Sequence, residues 1–151
     1  MAVKGESYGL KGQRLRVQTP GQNRKLHPFV AANWWTGQLR YRFYPRRQSE
    51  QYHAFEQRLA GEGPLSLGLD NSNIHSTQAA REPAPGVERL FLPTYAWWLQ
   101  PVDNLFGWLK RELTNCEARD LRERRAQVER LLKRLQSHPR RVLRLMGNRA
   151  V

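Results

Sequence analysis

Between Leu65 and Leu113 the spacing of apolar residues changes period, and that change constrains the fold more than anything else in the chain. Leu65, Leu67 and Leu69 alternate with Ser66 and Gly68, the period of a strand with one buried face. A second apolar run, Val87 to Leu92, is ended by Pro93. Beyond it Leu105, Leu109 and Leu113 recur at i, i+4 and i+8 with Phe106 beside them, which predicts an amphipathic helix. Each junction carries an acid: Asp70 follows the first strand and enters the polar turn Asn71-Ser72-Asn73, and Asp103 opens the helix. Two carboxylates therefore flank one αβ layer.

The preceding residues read as strands and one helix. Met1 to Gln13 has no period, and Arg14 to Gln18 alternates basic and apolar residues up to Pro20-Gly21. Lys25 to Asn33 and Gln38 to Tyr44 are strand-like, separated by Trp34-Trp35-Thr36-Gly37, where Thr-Gly suits a hairpin turn. These three runs predict an antiparallel meander. In the last, Leu39, Tyr41 and Phe43 form an apolar face, while Arg40 and Arg42, continued by Arg46 and Arg47, form a basic one suited to phosphates or to solvent. Ser49 is the expected N-cap of a helix to Leu59 with Tyr52, Phe55 and Leu59 in one stripe, His53 turned to solvent, and Gly61 to Pro64 as the stop.

A weak helical piece spans His75 to Arg81. From Arg119 on, Leu121, Val128, Leu132 and Leu135 mark a helix in an Arg/Glu-rich surround, and His138-Pro139 breaks it before a final basic helix. The order of elements predicts a mixed α/β sheet with flanking helices. The expected division is a core over 1–116, with basic C-terminal helices over 117–151 packed on it.

A chain of 151 residues is about one domain. Its net charge of +13 points to a polyanionic partner, and the distribution sharpens that. Residues 1–60 carry 11 basic and 3 acidic groups, residues 61–116 carry 4 and 6, and residues 117–151 carry 11 and 4. An acidic centre between basic flanks suits a metal-bearing pocket within a nucleic-acid footprint, because the metal needs carboxylates and the phosphates need cations. Solvated Arg-rich helices give the same composition, and an RNA-binding protein fits the charge alone. The single cysteine, Cys116, forms no internal disulfide and is expected to pack on a helix. The start MAVKGESYG lacks the apolar core of a signal peptide, and no apolar run reaches a membrane span, so the expectation is a soluble protein of the cytoplasm with no membrane partner.

Leu69-Asp70-Asn71 with His75, Leu92-Pro93-Thr94-Tyr95, Gln100-Pro101-Val102-Asp103 and Trp108-Leu109-Lys110-Arg111 together resemble the DDE endonuclease domain of transposases, in the mariner-related branch of bacterial insertion sequences. In that branch the middle acid stands in an Asp-Asn-x-x-x-His setting. The last acid follows a Leu-Pro-x-Tyr segment and an Asn-Pro-x-Glu-type turn, ahead of a Trp-x-x-Leu-Lys helix. The 32 residues between Asp70 and Asp103 are close to the family's spacing. The Gly12-Gln13 start and the Thr36-Gly37 hairpin are similar as well, and the likeness runs from about Ser7 to about Gly147. The chain departs in having Asp103 where Glu is common, Gln100 where Asn is usual, and Trp97-Trp98 in place of polar residues. The family's first Asp belongs to a strand upstream of Ser7, and Glu6 is no replacement for it.

The resemblance implies a ribonuclease-H-like mixed sheet, N-terminally incomplete, and metal-dependent cleavage and transfer of DNA strands. Asp70 and Asp103 are the implied catalytic and metal-binding acids, with Mg²⁺ or Mn²⁺ as the ion and Asn71 and His75 as accessories. Arg40, Arg42, Arg46, Arg47, Lys110 and Arg111 are the candidate DNA contacts. The implied partners are DNA, as element ends and target, and a second subunit or the missing N-terminal part; the implied place is the bacterial nucleoid. With two of three acids, the chain is expected to be inactive alone, and the alternative is a non-catalytic DNA-binding or transposition-inhibiting protein. Taken residue by residue, Asp70 also suits a turn cap and Asp103 a helix cap. Trp34, Trp35, Trp97 and Trp98 suit base stacking, although core packing is the commoner fate of paired tryptophans.

Overall fold

The alternation read along Lys25 to Tyr44 produces a hairpin. In the computed structural model, which describes residues 25–70, 82–93, 101–114 and 116–148, β1 (His27–Ala32) pairs antiparallel with β2 (Leu39–Tyr44), from His27 opposite Tyr44 to Ala32 opposite Leu39. The expected third strand of the meander, Arg14 to Gln18, lies outside the described residues. So do the helical piece from His75 to Arg81, together with Asn71, and Trp97 and Trp98.

Because side chains alternate, the hairpin has two faces with different partners. Val30, Ala32, Leu39, Tyr41 and Phe43 turn towards a core formed with the C-terminal helices, whereas Phe29 packs with Tyr52, Leu67 and Leu69 on the other side. That second side belongs to α1 (Ser49–Ala60), whose inward stripe is the expected Tyr52, Phe55 and Leu59 with Glu56 added. Its N-cap is Gln48, one residue before the expected Ser49, and the Gln48 side chain makes no capping bond. His53 is half-buried rather than turned to solvent, with Nδ1 3.4 Å from a Glu56 carboxylate oxygen. The helix turns this flank towards β4, so the residue beside the stripe is covered.

β3 (Leu65–Leu69) pairs with β4 (Val87–Phe91) in parallel, Leu65 opposite Val87 and Leu69 opposite Phe91. The ladder runs one bond further, Leu92 N–H donating to the Leu69 carbonyl at 2.8 Å. The expected single mixed sheet is therefore two two-stranded sheets among the described residues, one antiparallel and one parallel. Among the described residues no strand joins β1 to β3. Between them lies a cleft of about 260 Å³ lined by Ala31 and Ala32 on one side and Leu65, Ser66 and Leu67 on the other.

α2 (Pro101–Glu112), α3 (Leu121–Gln136) and α4 (Pro139–Met146) complete the architecture. Pro101 and Pro139 open their helices, positions where the missing N–H costs nothing. The start of α3 is a variant of the capping box: the N-cap Asp120 accepts from Glu123 N–H at 2.7 Å, and Glu123 accepts from the N–H of Arg119, the residue before the cap, at 2.8 Å. Leu105, Trp108, Leu109 and Leu113 meet Val128, Leu132, Leu135, Val142, Leu143 and Met146 in one cluster that also takes Leu39 from the hairpin. Each large side chain so buried stabilises the fold by roughly 1.5–3 kcal/mol. Cys116 is exposed, not packed on a helix, because it falls after the end of α2; its thiol donates to the Glu112 carbonyl at 3.3 Å. Among the described residues no helix is long and apolar enough to cross a membrane.

Candidate active site

The two acids sit where strand and helix end and begin. Asp70 directly follows β3, half-buried, and Asp103 occupies the first turn of α2. They are 33 positions apart, yet the Asp103 carboxyl is raised above the usual carboxylate range, first by burial and then by the negative charge of Asp70. Lys110, about two turns further along α2 and exposed, pulls it back down, as does Arg47 just beyond β2. Four of the sequence-identified residues are thus coupled electrostatically: the charge of Asp70 raises the Asp103 carboxyl, and those of Lys110 and Arg47 lower it.

The remaining candidates separate into groups. Arg42, Arg46, Lys110 and Arg111 are exposed, as a phosphate contact requires. Arg40 is engaged elsewhere: its guanidinium forks onto Glu62 at 2.7 and 2.8 Å, an ion pair between β2 and the turn after α1. Asn71 and His75 fall outside the described residues. Among those described, no set of three or more His, Cys, Asp or Glu gathers as metal ligands. A pair of carboxylates fits Mg²⁺ or Mn²⁺ all the same, since such ions are held by one or two carboxylates with water and phosphate oxygens filling the rest. A divalent cation bound between the two carboxylates would offset the negative charge of Asp70 that adds to the burial of Asp103.

Sequence reasoning missed the polar network beneath this site. Glu56 is completely buried and accepts from both arms of Arg89 at 2.6 and 2.5 Å, from the Tyr52 hydroxyl at 3.2 Å and from Ala84 N–H at 3.4 Å. Burial opposes its ionisation, but the Arg89 fork outweighs it and holds the carboxyl below the usual glutamate range. Arg89 also stacks over Tyr52, 5.4 Å from the ring centre. This network ties α1 to β4, the strand that pairs with β3, and so fixes the position of Asp70. Two further residues run against core packing. Trp34 and Trp35, at the hairpin turn, are 38% and 81% exposed.

Two known proteins share this organisation. An uncharacterized 39 kDa protein of insertion element IS630 from Shigella sonnei is 28% identical over 117 residues, covering 73% of this chain and 34% of the relative. The Mos1 transposase, solved in a paired-end complex with the left transposon end, superposes with a TM-score of 0.56 at 17% identity, covering 95% of this chain and 51% of that one. The second likeness shows the fold, the ribonuclease-H-like α/β arrangement anticipated from the sequence. The chain spans about a third of the length of the first protein and half of the second. Residues 1–125 match the family model described as the DDE superfamily endonuclease, so the chain belongs to that family, in its insertion-element and mariner-related branch.

Proposed function

We propose that this chain supplies two of the carboxylates of a transposase active centre, Asp70 and Asp103, and much of the basic surface that holds DNA around them. The observation that carries the reading is the pairing itself. A strand end and a helix start distant in sequence bring two acids close enough for one charge to weigh on the other, with Arg47 and Lys110 beside them. Asp70 and Asp103 would hold Mg²⁺ or Mn²⁺. When bound, such ions about 3.5 to 4 Å apart activate water or a 3′-hydroxyl for attack on a phosphodiester and stabilise the leaving oxygen. Arg47 and Lys110 neutralise the phosphate next to the acids, and Arg42, Arg46 and Arg111 extend the contact along the backbone of the element end or target. Asn71 and His75, which follow Asp70 in sequence, serve as accessory groups at the same point. The place of action is the bacterial nucleoid.

The third acid of this family is carried on a further strand. The cleft between β1 and β3 offers two facing strand edges, and α1 packs against residues of both strands. A strand added there parallel to β3 would end beside Asp70. On this reading the isolated chain binds metal and DNA but cleaves little or nothing until such a strand is supplied, from another part of a longer polypeptide or from a second subunit.

A second reading has one observation in its favour. The acids that come together among the described residues number two. A DNA-binding protein that competes with an intact transposase needs only the basic surface. The experiment is Mn²⁺ titration by calorimetry, followed by DNA binding with and without EDTA. Binding of Mn²⁺ by the natural chain and its loss in Asp70→Asn, Asp103→Asn supports the catalytic reading. Equal Mn²⁺ binding by both, with DNA binding indifferent to EDTA, removes it in favour of the competitor.

A further inference from the structure

The hairpin turn is held firmly for a turn that displays two indoles. Asn33 Oδ1 accepts from Trp35 N–H and Thr36 N–H, both at 2.9 Å, and Gly37 N–H donates to the Asn33 carbonyl at 2.9 Å. From outside, Asn148 Nδ2 donates to the Trp34 carbonyl at 2.8 Å. Gly37 lies so close to α4 that a Cβ there would run into the Pro139 carbonyl and the Leu143 side chain. The turn is thus clamped along the length of α4, and it presents Trp35 to solvent at 81% exposure. Burying an aromatic of that size yields roughly 1.5–3 kcal/mol, so a fixed turn that withholds one from the core serves something other than folding.

The same helix carries the cations. Ser137, His138, Pro139, Arg140, Arg141 and Arg144 line an open cleft of about 800 Å³ at the α3–α4 corner. Arg140 and Arg144 are exposed, one turn apart, and no carboxylate among the described residues pairs with either. Arg141 stacks over Trp108, 5.0 Å from its ring centre, so its charge stays near the surface. An eight-residue helix is about 12 Å long, which keeps indoles and guanidinia within reach of one short stretch of a linear polyanion. This surface is distinct from the carboxylate pair. The end of β1 and the start of β3 line one cleft, so the turn lies at the end of the sheet opposite Asp70, about 16 Å away along a five-residue strand.

We propose that the hairpin turn and α4 form a seat for unpaired nucleotides of a DNA strand, with Trp35 as the stacking platform and His138, Arg140 and Arg144 on the phosphates. Stacking needs an open base face, which a single strand offers and an intact duplex hides; the arginines alone would hold either. An acidic peptide would satisfy the guanidinia and leave the indole without its flat partner. The inference does not depend on metal binding by Asp70 and Asp103.

The test is fluorescence anisotropy with a labelled oligo-dT of about 12 nucleotides and a duplex of equal length. Trp35 is exposed, so Trp35→Ala should fold, as circular dichroism checks. It is expected to weaken oligo-dT binding roughly tenfold, a loss of one stacked base, and to leave duplex binding unchanged, while Trp35→Phe recovers part of the loss. Arg140→Ala, Arg144→Ala is expected to weaken both and to lower the salt slope for oligo-dT by about 1.4. In an Asp70→Asn, Asp103→Asn background Trp35→Ala is expected to cause the same roughly tenfold loss of oligo-dT binding, which separates this seat from the proposed active centre. Unchanged oligo-dT binding in Trp35→Ala, an equal loss on duplex, or polyglutamate competing as well as oligo-dT would overturn the proposal.

Discussion

Glu56 carries the largest single-residue consequence in this structure. Removing its carboxylate takes from the Arg89 side chain, 6% exposed, the buried charge that balances it, leaving its bond to the Glu82 carbonyl. Glu56→Ala is therefore expected to destabilise the chain by about 3–5 kcal/mol, read from urea unfolding, whereas Glu56→Leu, Arg89→Met is expected to lose far less because both charges go together. The pH dependence has a definite sign. Glu56 ionises below the usual glutamate range when folded, so its contribution is present above the ordinary value of about 4.3 and is lost as pH falls through the lower folded value. The natural chain should lose stability through this acid window, and Glu56→Gln should flatten that part of the profile. The residue was legible in part: at i+4 from Tyr52 it shares the apolar stripe of α1, the sole acid on that face. Its partner Arg89, 33 residues away on a strand, was not, because local periodicity gives no account of which strand a helix covers. Asp70 and Asp103 were legible because each sits at a change of period; that the charge of one reaches the other required the fold.

At the scale of elements, the hairpin shows how a local reading succeeds and stops short. Thr36-Gly37 was read as a turn, and Gly37 has φ +72°, a conformation that favours glycine. What the pattern did not carry is the contact with α4, where a Cβ would collide with backbone that cannot swing away. Gly37→Ala combines both effects. It is expected to cost about 2–5 kcal/mol, more than either turn strain or overpacking alone, seen as a large drop in Tm. The α3 start was read only as Arg/Glu-rich surround, although Asp-x-x-Glu before an apolar stripe is the signature of a capping box. Asp120→Ala should accordingly lose about 1 kcal/mol, and Asp120→Ser should keep most of it.

At the scale of the whole molecule, the strand pattern announced a ribonuclease-H-like mixed α/β fold, which the structure bears out, while the described strands pair as one antiparallel and one parallel hydrogen-bonded pair, with α1 packed against residues of both. Pairing between strands is a non-local choice that alternation along a single strand leaves open. The C-terminal helices make the opposite point. Their apolar stripe was enough to expect packing on the rest of the chain, and Leu132, Leu135 and Val142 are almost wholly buried against Leu105, Leu109 and Leu39, with Gln136 Nε2 donating to the Leu39 carbonyl at 2.9 Å. This predicts that a chain ended after Cys116 does not fold: α2 and the hairpin would expose Leu105, Trp108, Leu109 and Leu113, residues the full chain buries to 5% exposure or less. At roughly 1.5–3 kcal/mol for each, the four together lose about 6–12 kcal/mol, comparable with the whole 5–15 kcal/mol margin of an ordinary domain. Circular dichroism and amide exchange on the shortened chain should then show no cooperative unfolding. A shortened chain that unfolds cooperatively would mean that the hairpin, α1 and the two sheets hold together without the helical core.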